Sequence, residues 1–105
     1  MIDVIPKEIL SKLPHIYESV ATTDPICYVK FFTPDSNFTW YILEIDDDNN
    51  LCFGYVVSHF SEYGYFTLLE LESLRGPMSL KVERDIYFQK MKMHEILNLH
   101  NEIAS

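Results

Sequence analysis

Phe38-Thr39-Trp40-Tyr41-Ile42-Leu43-Glu44-Ile45 runs into Asp46-Asp47-Asp48-Asn49-Asn50 and then into Leu51-Cys52-Phe53-Gly54-Tyr55-Val56-Val57. Two stretches rich in aromatic and β-branched residues flank a five-residue polar break, which is the pattern of a β-hairpin rather than of an interdomain linker. In the first arm Phe38, Trp40, Ile42 and Glu44 alternate with Thr39, Tyr41, Leu43 and Ile45. Both sets are mostly apolar, so the arm reads as a central strand, or as one whose second face a helix covers. Gly54 in the second arm marks a bulge or a close neighbour.

Working outward, Ile26–Phe32 reads as a preceding strand, joined to the hairpin by the turn cluster Thr33-Pro34-Asp35-Ser36-Asn37. Residues 18–25 carry the breakers Thr22, Thr23, Asp24 and Pro25 and read as a loop. Before them, Ile5, Ile9, Leu10 and Leu13 recur at helical spacing between Pro6 and Pro14, predicting a helix of about two turns. After the hairpin, Ser61-Glu62-Tyr63-Gly64 reads as a turn and Tyr65-Phe66 as a short fourth strand. Thr67-Leu68-Leu69-Glu70 has the capping-box pattern and predicts a helix ending near Leu74, with Gly76-Pro77 as its stop. Val82–Phe88 is a marginal fifth strand. Met93, Ile96, Leu97, His100 and Ile103 share a face and predict a terminal amphipathic helix. The order predicts one α+β domain over residues 1–105, with an antiparallel sheet of four to five strands, an N-terminal helix, a short middle helix and a C-terminal helix within 89–105.

Composition sets the outer limits. A chain of 105 residues makes one small domain that buries about two-thirds of its unfolded surface. A hydrophobic fraction of 48 % and an aromatic fraction of 14 % exclude a disordered acidic tail. No apolar run approaches the roughly 20 residues of a membrane helix, and no basic-then-apolar leader is present at the N-terminus. Cys27 and Cys52 are too few for a disulfide framework and read as reduced thiols of a cytoplasmic protein.

The net charge is −8, and it is unevenly spread. From Glu18 to Glu72 ten acidic residues face Lys30 alone, a net −9, while the flanking segments nearly balance. Such a surface argues against direct contact with nucleic acid, whose phosphates call for Lys and Arg. It attracts a basic protein partner instead.

No catalytic pattern stands out. His94 and His100 lie six apart, which is wrong for two ligands on one helix face, and neither they nor His15 and His59 have a zinc spacing. Neither a metal nor a cofactor is implied. The apolar context of both cysteines points to packing, although a nucleophile paired with His59 is conceivable in chemical terms. Asp46-Asp47-Asp48 resembles half of a calcium loop but lacks the glycine and the bidentate Glu, so it reads as a solvated tip. Aromatic residues beside carboxylates, such as Tyr63 and Tyr65 beside Glu62, suit a protein-binding surface. Arg75, Glu83, Arg84 and Asp85, if they converge with Trp40, would instead form a ligand pocket.

Several strings occur together in order: Lys30-Phe31-Phe32-Thr33-Pro34, Thr39-Trp40-Tyr41, Phe53-Gly54, Glu62-Tyr63-Gly64-Tyr65-Phe66, Leu68-Leu69-Glu70-Leu71, Arg75-Gly76-Pro77 and Glu83-Arg84-Asp85-Ile86-Tyr87-Phe88. In this combination the chain resembles the bacterial family called domain of unknown function 2958, from about Lys7 to Phe88, with 1–88 as the family-like core. The resemblance implies cargo of plasmids, phages and conjugative elements, often near anti-restriction genes, with no assigned reaction. Together with the acidic block it leads to an expectation of a non-enzymatic anti-defence protein, an anti-CRISPR inhibitor acting in the bacterial cytoplasm. Its partner would be a CRISPR effector nuclease or a restriction enzyme with a basic nucleic-acid-handling surface. The expected contacts are Glu44, Asp46, Asp47, Asp48, Glu62, Glu70 and Glu72, with Tyr63 or Tyr65 as anchor. The alternatives are a small accessory enzyme or ligand-binding module, and an interaction domain for another mobile-element protein.

Overall fold

Backbone hydrogen bonding divides the chain into α1 (Lys7–Leu10), β1 (Ile26–Cys27), β2 (Val29–Phe32), β3 (Thr39–Ile45), β4 (Leu51–Val57), β5 (Glu62–Thr67), α2 (Leu68–Ser73), β6 (Glu83–Arg84), β7 (Met91–Lys92) and α3 (Met93–Ala104). The structure is a computed structural model describing residues 5–16 and 24–104, with side chains to residue 100. Most of the loop expected at 18–25, and the place of Ile103 on the terminal helix face, lie outside the described residues. Five strands form one antiparallel sheet in the order β5-β4-β3-β2-β6. The expected α+β architecture is therefore present, with the quoted hairpin at its centre.

The register carries an irregularity that decides which face of the sheet each β3 side chain joins. Ile42 pairs with Gly54, but the next pair is Glu44 with Phe53, leaving Leu43 as the extra residue of a β-bulge. The bulge breaks the simple alternation along β3. Trp40, Ile42 and Ile45 pack on one face with Phe31, Cys52, Phe66 and Leu71. Tyr41 and Leu43 pack on the other with Cys27, Met93 and Ile96. Glu44 is thereby turned to the side of its partner Phe53 and is only 1 % exposed. Gly54 accommodates this geometry, because a Cβ there would collide with the Tyr41 carbonyl oxygen.

Helices cover both faces. Ile5, Ile9, Leu10 and Leu13 from α1 and its flanks join the first cluster with Leu68 and Leu71 of α2. Each such side chain contributes about 1.5–3 kcal/mol when fully buried. The predicted two turns at the N-terminus reduce to one α-helical turn, continued to Leu13 by the tighter Lys12-to-Ile9 and Leu13-to-Leu10 hydrogen bonds. Pro14 then ends the run and accepts a hydrogen bond from Ile45 N at 3.1 Å.

Three other elements differ from their sequence pattern. The stretch read as one strand, Ile26–Phe32, is divided at Tyr28: β1 pairs with β7, and β2 pairs with β3 and β6. The fourth strand begins at Glu62 rather than Tyr65, since Tyr63 and Gly64 pair with Tyr55 and Gly54 despite their turn-like composition. The strand expected at Val82–Phe88 is confined to Glu83–Arg84, and an Asx-type contact from Tyr87 N to Asp85 Oδ1 at 3.0 Å bends the chain away.

Candidate functional site

The β3–β4 hairpin end gathers much of the acidic block. Asp46 builds the hairpin itself: its Oδ1 accepts from Asn50 N at 2.9 Å and Leu51 N at 3.1 Å. The turn needs Asn49 at φ 55°, a left-handed conformation that Asn tolerates better than most residues. Asn50 then ties the hairpin to α2. Its carbonyl and its side-chain oxygen accept from Leu68 N at 2.9 Å and Leu69 N at 3.1 Å, while Thr67 Oγ1 accepts from Glu70 N at 3.0 Å. Three otherwise unpaired N–H groups at the start of α2 are thus satisfied, and exposed Glu70 stands on a helix start braced to the hairpin.

The expected contact residues separate accordingly. Asp48 is exposed at the tip, and Asp47 is exposed but paired with His15 Nδ1 at 2.7 Å. Glu70 is exposed and Glu72 half-buried on α2. Asp46 is half-buried, with its carboxylate committed to the turn. Glu44 drops out of the surface set because both faces of β3 are covered, and it is buried on the Phe53 side. Glu62 is exposed but begins β5, at the opposite end from Thr67, and so lies a strand's length from the hairpin. Tyr63 and Tyr65 are 47 % and 51 % exposed on the flank of the sheet, packed against Phe53 at ring-centroid distances of 6.0 and 5.0 Å. Burial and then Tyr55 raise the Tyr63 pKa, so its hydroxyl stays protonated.

The other end of the sheet, at the Thr33–Phe38 turn, is hollowed rather than charged. A cavity of about 330 Å³ is lined by Phe38, Trp40, His59, Leu74, Arg75 and Pro77, among others. Phe38 stacks on Trp40 at 5.8 Å. The far wall is held by Asp35, whose Oδ2 accepts from Met78 N at 2.7 Å and Leu80 N at 3.3 Å. Gly76 is required there, since a Cβ would run into the Asp35 carboxylate. Arg75 donates from Nη1 to the Glu72 and Leu74 carbonyls at 2.8 and 2.7 Å, closing the end of α2. The convergence considered from sequence is thus half realised. Arg75 and Trp40 line one cavity, but Asp85 faces Lys30 at 3.7 Å and Glu83 and Arg84 pair with β2 instead.

The thiols are packing groups. Burial pushes both Cys27 and Cys52 up to about 12, which suppresses the thiolate a nucleophile would need. Cys52 lies near the hairpin end of β4, whereas His59 follows its other end, so the two do not meet. Among the described residues no group of three His, Cys, Asp or Glu side chains could hold a metal ion. No described helix is long and apolar enough to cross a membrane.

Asn50, Asp35 and Lys30 do structural or site work that local patterns do not flag, because their partners lie 18 to 55 residues away along the chain. Only Asn50 carries a hint, as a helix-capping residue type placed where the sequence already demands a turn.

These features define a small α+β domain, an antiparallel sheet with helices on both faces, anionic at one end and hollowed at the other. The family model described as protein of unknown function (DUF2958) matches residues 4–104, and the chain belongs to that family. The match carries the likeness through the terminal helix, beyond the strings that end at Phe88. No curated protein and no solved structure matches the chain significantly.

Proposed function

We propose that this protein is a non-enzymatic anti-defence inhibitor of mobile-element origin, of the anti-CRISPR type. It docks its acidic hairpin end onto a basic nucleic-acid-handling surface of a bacterial CRISPR effector or restriction enzyme. The observation that carries the reading is the hairpin–helix junction, where Asp47, Asp48 and Glu70 project from a turn and a helix start locked together by Asn50. Carboxylates on a braced support hold their spacing, so they can face a phosphate-binding groove at little entropic cost. Long-range attraction by a net −8 chain accelerates encounter. The exposed rings of Tyr63 and Tyr65 provide apolar contact on the neighbouring flank.

The test is capture of the partner from a host lysate, followed by a nuclease assay with wild type and with the Asp47→Lys/Asp48→Lys/Glu70→Lys variant. Wild type protects substrate and the variant loses protection, most at low salt. Equal protection by both defeats the reading. A second reading, a ligand-binding module, draws support from the Trp40–Arg75 cavity. It takes over if no basic partner is captured and a small molecule raises the melting temperature.

A further inference from the structure

Lys30 is the one basic residue between Glu18 and Glu72, yet it does not sit in the open to offset that charge. Its side chain is only 27 % exposed. The Asp85 carboxylate stands 3.7 Å from Nζ, beyond hydrogen-bond reach, and Asp85 Oδ1 already accepts from Tyr87 N. Beneath Nζ lies the Tyr41 ring, 5.9 Å to its centroid. An ammonium carries three donors, and on a partly exposed side chain they stay open to solvent or to a ligand. Among the described residues no acceptor lies within hydrogen-bond distance.

A cleft of about 500 Å³ opens beside it, lined by Lys30, Phe32, Asn37, Phe38, Thr39 and His100, among others. His100 Nε2 lies 2.8 Å from the Tyr41 hydroxyl. Burial, with Lys30 nearby, holds the His100 pKa below its ordinary value, so the ring is neutral at pH 7. Burial likewise pushes the Tyr41 hydroxyl up to about 12, so it keeps its proton. When that hydroxyl donates to Nε2, the imidazole proton sits on Nδ1 as a further donor. The cleft thus combines one under-used cation, an imidazole, an amide and a hydroxyl with two phenyl rings. That donor set calls for an anion with several acceptor oxygens, which a phosphate has and a carboxylate has to a lesser degree. The rings call for a flat apolar body, and the volume lies in the range of metabolite pockets.

We propose that the cleft beside Lys30 binds a small phosphorylated ring compound of the mononucleotide class, with its phosphate on Lys30 and His100 and its ring against Phe32 and Phe38. This site is separate from the acidic hairpin end, and neither proposal depends on the other.

Adenosine monophosphate is the probe, titrated into the full chain by heteronuclear NMR and by thermal melts, with adenosine and inorganic phosphate as controls. Saturable binding is expected, with a melting temperature that climbs with ligand concentration. Adenosine and phosphate should each bind at least about tenfold more weakly. Lys30→Met should weaken the mononucleotide by at least about tenfold, while Lys30→Arg stays within about threefold. Should Lys30→Met fail to fold, Asn37→Ala/Thr39→Val on the cleft wall serves in its place, with weakened binding expected. Absence of saturation at millimolar mononucleotide overturns the proposal, as do equal binding of adenosine and unchanged affinity in the variants. Asp47→Lys/Asp48→Lys/Glu70→Lys should bind the nucleotide like wild type, so failure here and failure of the inhibitor reading are told apart.

Discussion

The two ends of the central sheet share the same strands and differ in what their turns do. At the hairpin end, polar side chains are spent on the backbone: Asp46 closes the turn and Asn50 caps α2, leaving Asp47, Asp48 and Glu70 outward on a fixed frame. At the Thr33–Phe38 end, Asp35 instead anchors a loop 43 to 45 residues further along the chain. Two cavities then lie around Phe38. A short tight turn projects charge, whereas a turn that must hold a distant loop leaves hollows between the pieces it joins. The first is the end we propose for a basic protein partner, and the second holds the cleft we propose for a small molecule.

The largest effect is expected where the two ends are joined. Gly54→Val drives a side chain into the Tyr41 carbonyl at the β3–β4 pairing. We expect a loss of at least about 3 kcal/mol, read as absence of a cooperative urea transition at 25 °C. A variant as stable as wild type would mean that β3 and β4 do not approach as described.

Next in size is the protection of the thiols, one on each face of the sheet. Cys52 lies beneath the hairpin end and Cys27 beneath α3. Both are buried and pushed up to about 12, so iodoacetamide at pH 8 should label them at least about a hundredfold more slowly in the native protein than in urea. Faster labelling of Cys27 than of Cys52 would show that the α3 side opens first. Rapid labelling of both would contradict the packing on each face.

Within the hairpin end, structural and projecting acids should part company. Asp46→Ala removes the acceptor of two backbone N–H groups and should cost about 1–2 kcal/mol in urea denaturation, and Asn50→Ala about 1 kcal/mol through lost capping of α2. Asp48→Ala should fall within about 0.5 kcal/mol. Equal losses at Asp46 and Asp48 would erase the distinction between frame and display.

The smallest effect is a pH dependence from the α3 side. His100 is held below its ordinary value of 6.5 first by burial and then by Lys30. Its contribution to stability is therefore complete above pH 6.5 and is lost as pH falls toward and through the folded value. Asp24 is held below 3.8 chiefly by the side-chain hydrogen bond to His94, 2.6 Å away, so its contribution fades only at more acid pH. The urea midpoint should decline modestly as pH falls below 6.5, and His100→Gln should flatten that decline. A decline unchanged in His100→Gln would assign it elsewhere.

Much of this architecture is legible in the residues, and the exceptions share a cause. The hairpin, the Thr67 cap and the helical face of Met93, Ile96 and Leu97 are written in local patterns of a few residues. The Leu43 bulge is not, because an extra residue in a strand leaves composition unchanged while moving Glu44 to the opposite face. Glu44 is buried on the Phe53 side rather than on the side of Trp40 and Ile42, where alternation places it. The β1–β7 pair is likewise silent, since two-residue strands have no period to detect. Charge marks the acidic block as a whole, but it does not separate the buried Glu44 or the turn-forming Asp46 from the exposed carboxylates at 47, 48 and 70. Their assembly through Asn50, and the cleft beside Lys30, depend on contacts between distant segments.

The most direct measurement tests the proposed inhibition: activity of the nuclease captured as partner, with wild type and with Asp47→Lys/Asp48→Lys/Glu70→Lys, across a salt series from about 50 to 500 mM. At the low end the reversed protein should inhibit at least about tenfold less well through slower association, and the gap should narrow as salt rises. Equal inhibition by the two proteins at low salt, with the variant folded as wild type, would contradict docking through the acidic hairpin end.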